Sequence, residues 1–274
     1  MIGGVSGLLL HIRARPTTPF VADWSVHPSV ILGTVLFGAL YFWGIGPARR
    51  RWALGPPAPL WRVGSFVLGL LVLVLSLNGP IHDLSDDYLF LIHMAQHLLL
   101  TLLVPPLLIA GIPGWLLRPL IRPRAVRKTA WVLTRPLVAG GLFTVLFIAW
   151  HAVPLYDLMM RDHEVHILTH LLFIASAVIM WWPVMSQMPE LPPLPLPGRM
   201  LYLFLVSIPM QLVAAIITFA DTPLYEWYVR APRTWGLSPL DDQKYGALLM
   251  WVPGNLWMFG AIAIIFFRWA REER

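Results

Sequence analysis

The chain has 274 residues, of which 58% are hydrophobic and only 12% are charged, and its mean hydropathy is +0.69. Because a soluble domain carries about 25% charged residues, this composition excludes a water-soluble globular protein, and the lack of cysteine excludes disulfides and thiolate metal sites. In a membrane protein the net charge of +6 reports orientation rather than nucleic-acid binding, so no nucleic-acid partner is expected.

The N-terminal segment does not resemble a secretory signal peptide. Its apolar stretch, residues 5–12, is short and no basic residue precedes it. We therefore predict a poorly ordered leader over residues 1–27, followed by one membrane domain over residues 28–274.

Seven apolar runs follow the leader, each close to the 20 or so residues that cross a bilayer as a helix. The predicted spans cover 28–46, 62–80, 88–110, 137–154, 165–185, 200–220 and 244–267. The predicted fold is all-α: a polytopic membrane protein with a bundle of about seven transmembrane helices.

Prolines mark the connections and one span. Five prolines between 189 and 197 predict a stiff linker, with a polyproline ligand for a partner domain as the alternative. Pro105 and Pro106 remove helical hydrogen bonds, so we expect them to kink or end the third span.

The basic residues predict the orientation in the membrane. One set of connections, together with the C-terminal tail, holds 14 of the 20 basic residues and only three of the 14 acids. By the positive-inside rule, the C-terminus is cytoplasmic and the N-terminus lies outside. We expect the chain to sit in a membrane, in contact with lipid.

All nine histidines fall on the predicted non-cytoplasmic side. They are His11, His27, His82, His93, His97, His151, His163, His166 and His170. Histidines kept only for packing would show no such bias. For a single one of them, such as His27 or His82, a hydrogen bond to a neighbour or simple solvation is favoured over a role as a ligand.

Two pairs of histidines share a helical spacing. His93 and His97 stand at i, i+4 in the third span, and His166 and His170 repeat that spacing in the fifth, so each pair projects from one face. His163 joins the second pair at i−3 and is a further candidate metal ligand. Four imidazoles in the outer leaflet predict a metal or cofactor site, and imidazole suits copper, zinc, iron and nickel.

Other residues near these pairs give weaker indications of a metal site. Met94 adjoins His93, and thioether sulfur favours Cu(I), although methionine is also a common gap filler. His151 ends the fourth span on the same side. Acids such as Asp83 and Asp86 could concentrate cations there, or form a solvated loop face. Intramembrane amides such as Gln96 are expected to join helices rather than to bind a metal.

Several motifs resemble those of the bacterial cytochrome c oxidase assembly factors called CtaG, in their caa-type branch. They cover about residues 28–267 and comprise His93-Met94-Ala95-Gln96-His97, Pro105-Pro106-Leu107-Leu108, Gly111-Ile112-Pro113, Trp150-His151, Pro154-Leu155-Tyr156-Asp157, Trp181-Trp182-Pro183-Val184, Leu224-Tyr225, Asp242-Gln243-Lys244-Tyr245-Gly246 and Met250-Trp251-Val252-Pro253-Gly254. The resemblance implies a seven-helix plasma-membrane protein that matures a haem-copper oxidase by handling copper. A different assembly factor with the same family name uses cysteines, which this chain lacks, so its mechanism does not transfer.

These observations favour a non-catalytic assembly factor, and no residue pattern indicates hydrolysis or phosphoryl transfer. Copper would bind His93, His97, His166 and His170, with Met94 or His151 assisting transfer. The expected partners are haem-copper oxidase subunits and periplasmic copper donors. The alternatives are a b-type cytochrome or haem-handling protein with two axial histidines, and a transporter, which usually places polar groups nearer the midplane.

Overall fold

The computed structural model describes residues 25–273 of the chain. The predicted leader lies outside these described residues except for its last three. Those three are anchored, because the backbone N–H of His27 donates to the side-chain oxygen of Asn78 at 2.8 Å and that of Ser25 donates to Asp83 at 2.8 Å.

Within the described part of the chain the structure is almost entirely helical. Its longer helices are α1 (Pro28–Trp52), α2 (Leu60–Leu77), α3 (Gly79–Asp87), α4 (Phe90–Gly111), α5 (Arg124–Leu133), α6 (Pro136–His151), α7 (Val153–Arg161), α8 (His163–Met185), α9 (Leu196–Thr218) and α10 (Pro239–Glu272). The prediction of an all-α membrane protein is confirmed at this level.

Six of these helices are long and apolar enough to cross a membrane: α1, α2, α4, α8, α9 and α10. The predicted fourth span, 137–154, corresponds to α6, which has 16 residues and is therefore about 24 Å long. That is shorter than a hydrocarbon core of about 30 Å. A seventh span exists only if α6 is counted together with α5, from which it is bent by 69°.

Pro136 explains the bend between α5 and α6. It occupies the first turn of α6, and the residue before it, Arg135, has the extended backbone (φ −64°, ψ 134°) that a following proline favours. The preceding helix, α5, carries Arg124, Arg127 and Lys128 on an otherwise apolar segment, a pattern typical of a helix lying at the membrane interface.

The third span passes its two prolines without ending. A π-helical turn at Leu99–Leu103 precedes Pro105 and Pro106, and the helix continues to Gly111. The wider turn absorbs the disruption, so the expected kink or stop takes the form of a local change of helical pitch.

Helix α4 lies at the centre of the bundle. In the most apolar stretch of α4, 61% is buried inside the protein, compared with 11% in the corresponding stretch of α1 at the periphery. It packs against α10 and against α8, while α8 also packs along α6. The residues of α4 and α8 therefore face protein rather than lipid over much of their surface.

The proline-rich connection between α8 and α9 is folded onto the end of α8. The Ser186 hydroxyl donates to the Leu191 carbonyl at 2.5 Å, and the Leu194 N–H donates to the Pro183 carbonyl at 2.8 Å. Leu191 is buried. These contacts agree with the linker interpretation of the sequence.

Candidate metal centre

The buried face of α4 carries His93 and His97. The two rings lie one turn apart in an edge-to-face arrangement with centroids 4.2 Å from each other, and the two side chains are 0% and 5% exposed. The start of α4 is held by another helix, because the carboxylate of Asp242 in α10 accepts the N–H groups of Phe90 and Leu91 at 3.0 Å each. These are N–H groups that a helix leaves unpaired at its N-terminus.

The buried face of α8 carries His166 and His170, whose ring centroids lie 4.5 Å apart. Both side chains are buried. Asp162 precedes the helix and caps it, because its carboxylate accepts the N–H groups of Glu164 and Val165.

The two faces meet, which the spacing alone could not establish. The ring of His93 lies 5.9 Å from that of His166 and 6.2 Å from that of His170. The ring of His97 lies 5.6 Å from that of His170. Histidines from two separate spans therefore converge in the interior of the bundle.

Two sets of three side chains bring their ligand atoms within 4.8 Å of one another. The first set is His93, His97 and His170, all buried. The second is Asp86, His93 and His166. The two sets share His93, and we call them the inner set and the outer set.

The ring nitrogens of these histidines have few partners. Both nitrogens of His93 and of His97, and Nε2 of His166 and His170, are buried without a hydrogen bond. Burying a polar nitrogen without a partner costs roughly 1–3 kcal/mol. So many unpaired donors and acceptors at one place fit a metal-binding site, since neutral imidazole offers a lone pair to transition metals.

His151, at the end of α6, adjoins the inner set. Its ring lies 6.2 Å from that of His97. Its Nδ1 donates to the Phe147 carbonyl at 2.7 Å, and because a carbonyl only accepts, the lone pair is on Nε2, which is buried without a partner. The tautomer therefore suits metal binding, although His151 belongs to neither three-residue set.

The outer end of the cluster is formed by His27, His82 and His163. The ring of His27 lies 4.3 Å from that of His82 and 6.3 Å from that of His163, which is exposed. Burial, followed by the neighbouring His82, lowers the pKa of His27 below its usual value, so it stays largely neutral at pH 7. Because it is exposed, His163 lies at the mouth of the site, and it is not part of either three-residue set.

Asp86 was expected only as one of several outer acids. In the structure it lies on α3, where its carboxylate is 3.4 Å from Nε2 of His82, 3.5 Å from Nδ1 of His166 and 4.0 Å from Nδ1 of His93. The sequence does contain a signal for this: His82 and Asp86 stand at i, i+4, and Pro80 in the first turn predicts a helix start.

Gln96 holds α3 against α4, as expected of an intramembrane amide. Its amide nitrogen donates to the Ser76 carbonyl at 2.7 Å, and its oxygen accepts from the Ser85 hydroxyl at 3.2 Å. Since Ser85 neighbours Asp86, this bond helps to fix the carboxylate relative to α4.

Met94 lies to one side of the imidazoles. It is fully buried and lines a cavity of about 10 Å³ together with His97, Met210 and Met250. Three thioethers from α4, α9 and α10 thus meet one imidazole of the inner set. The sequence pointed to Met94 but not to Met210 or Met250, because these two are distant from the histidines along the chain.

Tyrosines enclose the other side of His93. The ring of Tyr156 lies 5.6 Å away and that of Tyr228 6.3 Å away, and the Tyr228 hydroxyl donates to the Ser85 carbonyl at 2.6 Å. Burial raises the pKa of Tyr156 well above its usual value.

Long apolar helices around a buried group of imidazoles define a polytopic helical membrane protein with a candidate metal centre. Residues 39–272 match the family model described as the cytochrome c oxidase caa3 assembly factor, Caa3_CtaG. The chain belongs to this family, which confirms the resemblance identified from its motifs.

The chain is also similar to uncharacterized mycobacterial proteins. Those of Mycobacterium bovis and Mycobacterium tuberculosis are each 25% identical over 280 residues, which cover 94% of this chain and 42% of the relative. That of Mycobacterium leprae is 24% identical over 271 residues, covering 93% and 40%. The chain thus spans less than half the length of these curated relatives. No solved structure matches it.

Proposed function

We propose that this chain is a non-catalytic assembly factor that carries copper for a haem-copper oxidase. It takes the ion from the non-cytoplasmic side, holds it between α4 and α8, and passes it to an oxidase subunit. Membership of the oxidase assembly family supports the oxidase as partner. The observation that carries the copper proposal is the inner set, His93, His97 and His170, with its nitrogens within 4.8 Å of one another.

The chemistry of the inner set suits a cargo ion. Three neutral imidazoles bind copper in either oxidation state, and the thioethers around the adjoining cavity favour Cu(I). Three protein ligands leave a coordination position open, through which an acceptor can attack the ion. Met94 and His151, which flank His97, are placed to assist that transfer.

The orientation of the site is part of the proposal. The histidines lie at the end of the bundle opposite the basic connections, so the positive-inside rule points the site away from the cytoplasm. Periplasmic copper donors would then load it. Reporter fusions to the C-terminus test this: alkaline phosphatase should be inactive and a green fluorescent protein bright, and the reverse pattern would refute outward loading.

Metal analysis of the purified full-length protein tests the ligand assignment. Wild-type protein grown with copper should retain about one ion per chain, since one inner set is present. A variant with His93, His97, His166 and His170 all changed to alanine should retain none. The matched control is His163→Ala, which removes an exposed imidazole outside both sets and should leave the copper content unchanged. Equal copper in the wild type and the fourfold variant would refute the assignment.

Bis-histidine haem ligation is the second candidate function, favoured by the facing rings of His93 and His170. A haem would use only two of these imidazoles and would leave the buried nitrogens of His97 and His166 without a partner. The three-residue sets therefore support an ion over a haem. A visible spectrum of the pure protein tests this, because a strong Soret band would favour haem.

A further inference from the structure

Asp86 brings a negative charge to the edge of the imidazole cluster. Its carboxylate lies 3.5 Å from Nδ1 of His166 and 4.0 Å from Nδ1 of His93, and these three side chains form the outer set. The Ser85 hydroxyl lies 2.9 Å from Oδ1 of Asp86, its neighbour in the chain.

The outer and inner sets differ in their access to water. The side chain of Asp86 is 21% exposed and that of His82, 3.4 Å away, is 13% exposed, whereas His93 is 0% exposed. His82 in turn touches His27, which faces the exposed His163. Exposure thus falls from the mouth, through Asp86, to the inner set.

We propose that Asp86, His93 and His166 form a second, outer copper site that captures the ion and passes it inward through His93. This inference rests on the proposed function and deepens it. In the transfer, the bonds from copper to the Asp86 oxygen and the His166 nitrogen break, and bonds to the nitrogens of His97 and His170 form. His93 is a ligand before and after the exchange, and the oxidation state of copper does not change.

The chemistry explains why capture would come first at the outer set. An ion leaving water loses its hydration, and a carboxylate offsets part of that cost by neutralising charge. The inner set holds only neutral nitrogens in a dry interior, so it suits an ion already stripped of water. A cation arriving at the mouth therefore meets Asp86 before any fully buried ligand.

The shared histidine also limits occupancy. Two cations bound at once would lie a few ångströms apart in a low-dielectric interior, where like charges repel strongly. The two sites are thus alternatives for one ion, and the protein should bind one copper per chain although it carries two ligand sets.

Copper titration of full-length protein in lipid nanodiscs tests the outer site directly. The probe is Cu(II), with binding measured by metal analysis and by electron paramagnetic resonance. Wild type should bind one ion. His97→Ala/His170→Ala, which disables only the inner set, should still bind one ion about tenfold or more weakly, and adding Asp86→Asn to that variant should abolish binding.

The outcomes separate this inference from the proposed function. If wild type binds copper but the His97→Ala/His170→Ala variant binds none, the outer site is refuted and the inner site stands. If the added Asp86→Asn change has no effect, the outer site is likewise refuted. Two ions on the wild type would overturn the exchange through His93, and no copper on the wild type would overturn both proposals.

Loading kinetics provide a second measurement that does not depend on removing two histidines. Asp86→Asn alone should load copper about tenfold more slowly than wild type while reaching the same stoichiometry. The matched control is Glu226→Gln, which removes a carboxylate that pairs with Arg230 at 2.8 Å and belongs to neither set. It should load at the wild-type rate. An unchanged rate for Asp86→Asn would refute the capture role.

Discussion

The indole N–H of Trp181 in α8 donates to the backbone carbonyl of Thr101 in α4 at 3.0 Å. In a regular helix that carbonyl would accept from the residue four positions later, which is Pro105 and has no N–H. A side chain from one histidine-bearing helix thus satisfies the carbonyl that a proline leaves unpaired in the other. The bond fixes α8 against α4 one turn below His97.

Changing Trp181 to phenylalanine should destabilise the protein by about 1–2 kcal/mol, because it removes the indole donor and leaves the Thr101 carbonyl unpaired in an apolar interior. The measurement is the Tm in detergent, or unfolding in graded denaturing detergent. Trp182→Phe is the control, since the indole of Trp182 donates to the Leu191 carbonyl at the helix end. An equal or larger loss in the control would contradict the special role of Trp181.

Changing Gly246 to alanine should also destabilise the bundle. A Cβ at this position of α10 would lie 2.5 Å from a ring carbon of Phe90 and 3.1 Å from the backbone of Leu91, at the start of α4. Overpacking of this kind costs about 1–3 kcal/mol, and the shift of α4 should weaken copper binding. Gly260→Ala in the same helix is the control, because no atom lies within 4 Å of its added Cβ. A Tm for Gly246→Ala equal to that of the control would refute the close contact.

Copper should raise the Tm of the wild-type protein, and a chelator should reverse the rise. A ligand that binds only the folded state stabilises it by about 2.7 kcal/mol at a hundredfold excess over its Kd. The fourfold variant at His93, His97, His166 and His170 should show no copper-dependent shift. A shift of the same size in that variant would place the copper elsewhere on the protein.

His151→Ala should leave copper stoichiometry unchanged and slow the release of copper to an external chelator by about tenfold or more. Nε2 of His151 has no hydrogen-bond partner, and the ring centroid of His151 lies 6.2 Å from that of His97. His151 is therefore placed to receive the ion without belonging to the inner set. Stopped-flow transfer measurements check the rate. Loss of the bound copper would instead show that His151 is one of the ligands that hold it.

The family motif Asp242-Gln243-Lys244-Tyr245-Gly246 shows what the sequence left unexplained. From the sequence alone, this motif identifies the family but has no assigned role. In the structure Asp242 accepts the first N–H groups of α4, and Gly246 admits the ring of Phe90. The motif therefore positions His93 from more than 140 residues away in the chain, a relationship that no local pattern contains.

The fourth span marks a limit of the hydropathy pattern. A window average predicts a full crossing over 137–154, but Pro136 and the break at Ala152 confine the helix to 16 residues. Hydropathy reports which residues avoid water, whereas backbone geometry decides where a helix can begin and end.

The sequence by itself determined the membrane class, the places of the long helices and the clustering of histidines at one end of the bundle. These follow from length, hydropathy and the helical period, which are local properties. Only the tertiary structure decided that the face of His93 meets that of His170, and that Asp86 belongs to the cluster. The rotation of one helix against another depends on side chains that pack from distant parts of the chain, and no periodicity within a single helix specifies it.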